Sequence, residues 1–180
     1  MGRLKQYDLE SVLESSINLF WKNGFSKSSL ADIEQATGLK KSSLYNAFKD
    51  KDDLHRKCLL HYIEKMDTQN ILSVEPLGKA NLRKMLLLAN KNAKNSKLPQ
   101  GCFVINSIRE LPNLSKATKD ILNKNSEMLL ELVTRNIKSS SPDISSQKCT
   151  DLAQLVLTFS TGLGLRISGG LNNGIEKQVD

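Results

Sequence analysis

Residues 30–48 read Leu-Ala-Asp-Ile-Glu-Gln-Ala-Thr-Gly-Leu-Lys-Lys-Ser-Ser-Leu-Tyr-Asn-Ala-Phe. The first seven predict a short helix that ends at Thr37-Gly38, where glycine permits the left-handed backbone of a tight turn. A second short helix is predicted over residues 41–48, because Leu44 and Phe48 lie one turn apart and point inward together. Two short helices joined by a glycine turn have the spacing of a helix-turn-helix, whose second helix lies in the DNA major groove.

Both flanks of this motif are predicted to be helical. Apolar residues over 9–20 follow the rhythm of an amphipathic helix, and a further helix begins near Lys51 and continues to Met66. Pro76 and Gly78 make a continuous helix costly, so a domain boundary is expected there. The predicted divisions are a helix-turn-helix domain over 1–50, a connecting helix over 51–75 and a second helical domain over 76–180.

Composition favours an all-α protein. The chain has 180 residues, 39% of them hydrophobic and only 5% aromatic, with four prolines and ten glycines, too few for the many turns of a β-sandwich or barrel. The uncharged run 152–165 is 14 residues long and contains polar side chains, so it is too short and too polar to cross a bilayer. No signal peptide is recognised at the start. We therefore expect a cytoplasmic protein with no membrane partner.

The net charge and the small number of residues suited to catalysis indicate which classes of function fit the sequence. The net charge of +7 favours an anionic partner such as nucleic acid. Only two histidines occur, and the chain lacks a glycine-rich phosphate loop and a Gly-x-Ser-x-Gly motif, so no enzyme and no cofactor are expected. His55 and His61 point about 120° apart around a helix axis, which argues against a metal site.

The outward face of the predicted helix over 41–48 is polar throughout. With Leu44 and Phe48 inward, a helical wheel places Ser42 and Asn46 on the opposite face. Hydroxyl, amide and phenol groups there can donate to and accept from base edges and phosphates. The neighbouring residues on that face are Ser43, Tyr45 and Lys49, and the lysines that bracket the helix and can neutralise phosphates are Lys40, Lys41, Lys49 and Lys51.

A longer pattern around this motif resembles a known family. The pattern is Leu19-Phe20-(x3)-Gly24-Phe25-(x3)-Ser29-Leu30-(x2)-Ile33-(x3)-Thr37-Gly38-Leu39-(x3)-Ser43-Leu44-Tyr45-Asn46-Ala47-Phe48-(x2)-Lys51-(x2)-Leu54. It resembles the DNA-binding domain of the TetR family of transcriptional regulators over about residues 9–60. The resemblance implies a homodimer on a DNA operator, with a C-terminal helical domain that binds a small-molecule inducer and repression that the inducer relieves.

The resemblance also implies roles for individual residues. Ser29 is expected to cap the second helix near a phosphate, and Tyr45 and Lys51 are expected on phosphates. One departure is Glu34, where the family more often has a small residue between the two helices. The positions that the resemblance places on the reading helix are Lys41, Ser42, Ser43 and Asn46.

Residues 76–180 resemble the family only loosely. The resemblance implies that helices over about 117–138 and 146–168 form the four-helix seam of a dimer. Independently of it, both helices carry wide apolar stripes that an isolated monomer would leave partly in water. Candidate ligand-binding residues on these and neighbouring helices are Cys102, Phe103, Met128 and Phe159.

Two alternatives stay open at this stage. Cys102 follows Gly101 where a helix is predicted to start, and a helix N-terminus lowers the pKa of a thiol, so a repressor gated by oxidation or alkylation of Cys102 is one alternative. The competing interpretation is that Cys102 is an ordinary small apolar residue buried in the core. The other alternative is a helical adaptor that binds proteins and no operator.

Overall fold

The chain folds into helices throughout the part that the structure, a computed structural model, describes, which is residues 7–93, 99, 101–171 and 174–179. Within those residues no strand occurs, which confirms the predicted all-α class. The helices in chain order are α1 Leu9–Asn23, α2 Leu30–Thr37, α3 Lys41–Ala47, α4 Lys51–Lys65, α5 Thr68–Ser73, α6 Lys79–Ala93, α7 Phe103–Ile108, a 3₁₀ turn at Leu111–Asn113, α8 Lys116–Ser140, α9 Ser146–Ser168 and α10 Ile175–Val179.

Local capping explains where the first helices start and stop. The Asp8 carboxylate accepts the first free N–H groups of α1, and Ser29 and Asp32 form a reciprocal capping box at the start of α2. Gly38 ends α2 in the left-handed region with φ of 71°, a conformation that glycine adopts without steric cost. Asp50 caps α4 through the N–H of Asp53. The helix-turn-helix predicted from the sequence is therefore confirmed.

Some helix boundaries differ from the predictions. The helix that begins at Lys51 ends at Lys65 because Met66 is extended, and α5 is a separate short helix. The apolar stripe from Phe103 to Leu111 is divided between α7 and the 3₁₀ turn. The two long helices are close to prediction, since Ser115 and Ser145 cap them through their hydroxyl oxygens.

The largest core joins the helix-turn-helix to later helices. Phe20 on α1, Ile33 on α2 and Leu59 on α4 are almost fully buried, and they belong to one cluster with Phe103 on α7 and Leu122 on α8. This core extends across the position predicted as a boundary at residue 76. As a result, α7 packs directly on α1 and α4, the helices that flank the helix-turn-helix.

A second core holds α5, α6, α8 and α9 together, around Leu72, Met85 and Val133. Gly164 of α9 lies against Ile105 of α7, so that a Cβ added to this glycine would clash with the end of the Ile105 side chain. The absence of that Cβ lets α7 and α9 approach closely. Of the helices in the described ranges, none has the length and apolar character needed to span a membrane.

Candidate nucleic-acid interface and internal cavity

Helix α3 presents a polar face to solvent and an apolar face to the core. Leu44 and Phe48 keep only 5% and 3% of their surface accessible. Ser42 and Asn46 are exposed on the opposite side, and Tyr45 is 48% exposed. The structure therefore places the predicted reading residues in solvent, where donors and acceptors can meet base edges.

The other predicted contact residues surround this face. Lys40, Lys41 and Lys49 are exposed beside α3, whereas Ser43 is half-buried. Ser29 is exposed at the start of α2, and its hydroxyl donates to a carboxylate oxygen of Asp32 over 2.7 Å. That hydrogen bond is the largest cause that lowers the pKa of Asp32. The cap position predicted for Ser29 is confirmed, and its phosphate contact stays a prediction.

Lys51 has partners within the protein. Its Nζ donates to the backbone oxygens of Phe25 and Ser28 over 3.0 and 3.1 Å. The same Nζ lies 4.4 Å from the centroid of the Phe25 ring, a cation–π distance. Lys51 thus ties the start of α4 to the loop between α1 and α2, and the expected phosphate contact must use its remaining donor.

Glu34, the residue that departs from the family pattern, caps the reading helix. Lys40 stands at the N-cap of α3 and offers no side-chain acceptor there. The Glu34 carboxylate on α2 instead accepts the N–H of Lys41 over 2.6 Å. A carboxylate at a helix N-terminus satisfies a free N–H and interacts favourably with the helix dipole. The sequence pattern missed this role because the cap comes from another helix.

Replacing Glu34 by alanine is expected to lower the free energy of unfolding by about 1 kcal/mol, the usual cost of losing an N-cap. Glu34→Gln keeps an acceptor oxygen and should retain most of the stability. Urea unfolding followed by circular dichroism measures both. The neighbouring exposed Gln35→Ala is the control, expected to change stability by less than about 0.5 kcal/mol. If Glu34→Ala lowered the free energy of unfolding no more than Gln35→Ala does, the capping role would be disproved.

A cavity of about 140 Å³ lies among the helices that follow α3. One side is apolar and is formed mainly by α4 and α7, with side chains that include Tyr62, Ile63, Val104, Ile105 and Ile108. Leucines and methionines of α6, α8 and α9 extend this apolar lining. The polar side chains of the cavity come from α5, α8 and α9 and are Thr68, Gln69, Asn125, Ser126, Ser160 and Thr161.

Of the four residues predicted to bind a ligand, only Cys102 lines this cavity. Phe103 points away from it into the first core, where its ring meets those of Trp21, His55 and Tyr62. Phe159 is 40% exposed on α9, and Met128 is half-buried on α8 outside the lining. An apolar stripe marks a helix face as buried without telling which buried space it faces, so the sequence could not show which of the four residues line this cavity. Ligand binding by each of them stays a prediction.

The Cys102 thiol lies at the N-cap of α7 and is buried. Burial raises the pKa of this thiol and outweighs the hydrogen bonds that lower it, from backbone N–H groups of α7 and from the Tyr62 hydroxyl. The pKa lowering expected from the helix N-terminus is therefore not seen. A thiol with a raised pKa is a poor nucleophile toward oxidants and electrophiles, and the geometry gives no support to the thiol-gated alternative.

Helix α7 joins the cavity to the helix-turn-helix domain. Its Asn106 side chain donates to the backbone oxygen of Trp21 over 2.7 Å. Just beyond α7, the Glu110 carboxylate accepts the N–H groups of Phe25 and Ser26 over 2.7 and 2.9 Å. Burial acts to raise the pKa of Glu110, but hydrogen bonds from Ser26 and Phe25 outweigh it and the net pKa is lowered. We call the pairing of Glu110 with these two N–H groups the Glu110 clamp.

His55 on α4 is buried at the same junction. Its ring lies 4.9 to 5.5 Å, centroid to centroid, from the rings of Phe20, Phe25 and Phe103. Its Nε2 atom is 3.4 Å from the Ser107 hydroxyl, and its Nδ1 atom has no hydrogen-bond partner. Burial lowers the pKa of His55 to about 4. The histidine is therefore held neutral at pH 7 as part of the core.

Among the described residues, one cluster brings together side chains of the kinds that bind metal ions. Glu10, Glu14 and His61 bring their ligand atoms within 4.8 Å of one another. The Lys65 ammonium forms ion pairs with both carboxylates. Because the Lys65 ammonium is already paired with both acids, the cluster is explained as a surface ion-pair network that joins α1 to α4.

The outer face of α9 carries an unpartnered apolar stripe. Leu152, Leu155 and Phe159 are 36%, 64% and 40% exposed, and Gly162 continues the row. The spacing of three and four residues places them on one side of the helix. Contiguous apolar surface of this kind is typical of a protein–protein interface.

Comparison with known proteins agrees with this architecture. Residues 12–58 match the profile of the bacterial regulatory proteins, tetR family. The HTH-type transcriptional repressor ComR of Escherichia coli (strain K12) is 34% identical over 125 residues, which cover 68% of this chain and 58% of ComR. The uncharacterized HTH-type transcriptional regulator YezE of Bacillus subtilis (strain 168) is 28% identical over 63% of this chain and 60% of YezE. The matched regions thus span less than two thirds of either relative.

Solved structures share the fold over nearly the whole chain. A cysteine mutant of the TetR family transcriptional regulator CifR, solved with 26 bp operator DNA, has a TM-score of 0.82 at 22% identity and covers 98% of both chains. The regulatory protein TetR from Rhodobacter sphaeroides has a TM-score of 0.82 at 18% identity, over 94% of this chain and 93% of the other. At these identities the likeness concerns the fold.

Proposed function

We propose that this chain, a member of the TetR family of bacterial regulatory proteins, is a DNA-binding transcriptional regulator and acts as a homodimeric repressor. In this proposal two copies of α3 bind the half-sites of a palindromic operator. A small molecule in the cavity then favours a dimer in which the distance between the two α3 helices does not match the operator half-sites, so that the DNA is released.

The observation that carries this proposal is the two-sided character of α3. Its underside is fixed by Leu44 and Phe48, while Ser42 and Asn46 stand in solvent between exposed lysines. A short rigid helix with hydroxyl and amide groups on its outer face suits the major groove. Selection of bound sequences from random DNA duplexes tests it, and a two-fold symmetric motif is the expected result. Recovery of no motif, or of one without symmetry, would contradict a dimeric operator reader.

Asn46 and Lys40 are expected to contribute to DNA binding in different ways. Asn46→Ala should weaken binding to the selected operator by about tenfold and leave binding to unrelated DNA unchanged, because it removes a base contact. Lys40→Ala should weaken both alike and reduce the salt dependence, because it removes a phosphate contact. Fluorescence anisotropy at several salt concentrations separates the two effects. Equal losses on operator and unrelated DNA for Asn46→Ala would exclude base reading by this residue.

The supporting feature for a dimer is the apolar stripe of α9, formed by Leu152, Leu155, Phe159 and Gly162. In a symmetric pair the same stripe on each copy faces its counterpart, and both stripes are removed from water. The resulting interface would include α8, which packs beside α9 along its length. The dimer sets the distance between the two α3 helices.

Helix α7 is the element proposed to couple the cavity to the DNA-binding domain. Val104, Ile105 and Ile108 of α7 line the cavity, while Asn106 and the Glu110 clamp hold the end of α1 and the loop that follows it. A ligand that displaces the cavity side of this short helix therefore changes the position of α1, and with it the position of α3.

Glu110→Gln is expected to loosen the Glu110 clamp, because the amide group replaces one acceptor oxygen with a donor that faces another N–H. The free energy of unfolding should fall by about 1 kcal/mol, since the carboxylate is partly exposed. Hydrogen exchange at the Phe25 and Ser26 amides should become faster. The exposed Glu131→Gln on α8 is the matched control. Unchanged exchange at both amides in Glu110→Gln would show that the carboxylate does not hold the loop.

A further inference from the structure

The size of the cavity limits the molecule that fills it. Its volume of about 140 Å³ is close to that of engineered apolar cavities, about 150 Å³, that bind benzene. A ligand of about six to ten non-hydrogen atoms is compatible with that volume. A larger molecule would extend beyond this space or require the surrounding side chains to move.

The part of the lining that the structure describes offers no counter-ion to a charged ligand. None of the described residues that line the cavity is an aspartate, glutamate, lysine, arginine or histidine. An ionised group placed there would lose its hydration without gaining a counter-ion, which is strongly unfavourable. A molecule that is neutral at physiological pH meets no such cost.

The polar side chains of the cavity select for a hydrogen-bonding group. Gln69 and Asn125 line the cavity and are half-buried. Thr161 donates its hydroxyl to the Leu157 backbone oxygen and keeps its lone pairs for a ligand. Each amide side chain offers both a donor and an acceptor. A ligand with one hydroxyl or carbonyl group can pair with them while its apolar part contacts α4 and α7.

From these three observations we propose that the cavity binds a neutral, largely apolar compound of about six to ten non-hydrogen atoms that carries one hydroxyl or carbonyl group. The inference rests on the regulatory function proposed above and deepens it by naming the class of inducer. Asn125 is the polar residue assigned to recognise the hydroxyl or carbonyl group, because it is half-buried on α8 between the lining residues Leu122 and Leu129 and its amide offers both a donor and an acceptor.

Four probes of almost equal size test this class on the full chain by isothermal titration calorimetry. They are benzyl alcohol, toluene, benzoate and benzylammonium. Benzyl alcohol should bind with a dissociation constant of about 1 mM or lower, which ligands this small allow. Benzoate and benzylammonium should bind at least about tenfold more weakly, because their charges are unpaired in the cavity.

Two variants connect the binding to Asn125. Asn125→Leu should remove the preference for benzyl alcohol over toluene, and Asn125→Asp should reverse the order of benzyl alcohol and benzylammonium. Asn123→Leu, on the same helix but exposed outside the lining, is the matched control and should behave as the unaltered chain does. Thermal unfolding of each variant shows that it is folded.

Specific outcomes would overturn the proposal. Tight binding of either charged probe to the unaltered chain would refute a neutral ligand class, and failure of both neutral probes to bind would refute the size estimate. An unchanged preference in Asn125→Leu would refute its assigned role. Operator affinity is measured in the same samples, so that binding of benzyl alcohol without a change in operator affinity contradicts the inducer function and leaves the ligand class intact.

Discussion

Replacing Leu155 and Phe159 together by glutamate is expected to convert the protein to a monomer and to weaken operator binding by about 10²- to 10⁴-fold. Both side chains belong to the apolar stripe on the outer face of α9. Four added carboxylates, two from each copy, would be brought together and desolvated in the dimer, which is strongly unfavourable.

The loss in DNA affinity follows because a monomer has one α3 helix, whereas a dimer has two. A dimer that has bound one half-site holds its second α3 at a high effective concentration near the other half-site, whereas a monomer must bind each half-site separately. Because both substituted residues are already solvent-accessible in the monomer, the fold of each copy should be preserved. Analytical ultracentrifugation measures the mass, and fluorescence anisotropy measures operator affinity.

Leu60→Glu is the control for this experiment. Leu60 is 52% exposed, comparable to Leu155 at 64%, but lies on α4 rather than on the α9 stripe. Its substitution should leave the mass of the dimer unchanged. A double variant that remains dimeric would place the interface elsewhere, and a monomer that kept full operator affinity would show that dimerisation is not needed for DNA binding.

The free energy of unfolding is expected to fall by about 3 kcal/mol between pH 6.5 and pH 4 because of His55 alone. Burial lowers the pKa of this histidine from 6.5 to about 4 in the folded protein. Each pKa unit of difference corresponds to about 1.4 kcal/mol, and the difference here is about 2.5 units.

The sign follows from which state binds protons. Between pH 6.5 and 4 the unfolded chain protonates His55 while the folded chain keeps it neutral, so acid favours the unfolded state. The stabilising contribution is fully present above pH 6.5 and is lost as the pH falls through this range toward 4. Urea unfolding at a series of pH values measures the decline.

His55→Phe should remove this part of the pH dependence, because phenylalanine fills the site among three aromatic rings and does not titrate. His61→Gln changes the other histidine of the chain and should retain the decline. If His55→Phe showed the same loss of stability between pH 6.5 and 4 as the unaltered chain, the decline would have to come from other groups.

The helix-turn-helix part of the fold was predictable because its signals are local. Ser29 and Gly38 mark the ends of α2 by capping and turn chemistry, and Leu44 and Phe48 define the buried side of α3. These features depend on residues within one or two turns of each other, and the polar face of α3 follows from them directly.

The cavity and the coupling element could not be predicted in the same way. The Glu110 clamp joins residues that are 84 and 85 positions apart, and the cavity is assembled from six helices. Hydrophobic periodicity indicated that Phe103 is buried, and the usual behaviour of a free cysteine indicated the same for Cys102, but only the packing of α7 decides that the thiol lines the cavity and the ring does not. Glu34 was recognised as unusual, whereas its role as a cap required the angle between α2 and α3.

The Glu110 clamp has a consequence for how such a regulator can diversify. Glu110 recognises main-chain groups of Phe25 and Ser26, and Asn106 recognises a main-chain oxygen. Most amino acids supply those groups equally well, so a substitution at Ser26 can leave these hydrogen bonds intact, whereas the ring of Phe25 is also packed against His55. In the proposed regulator, the residues of the cavity and those of the exposed face of α3 can therefore change while this main-chain connection is kept.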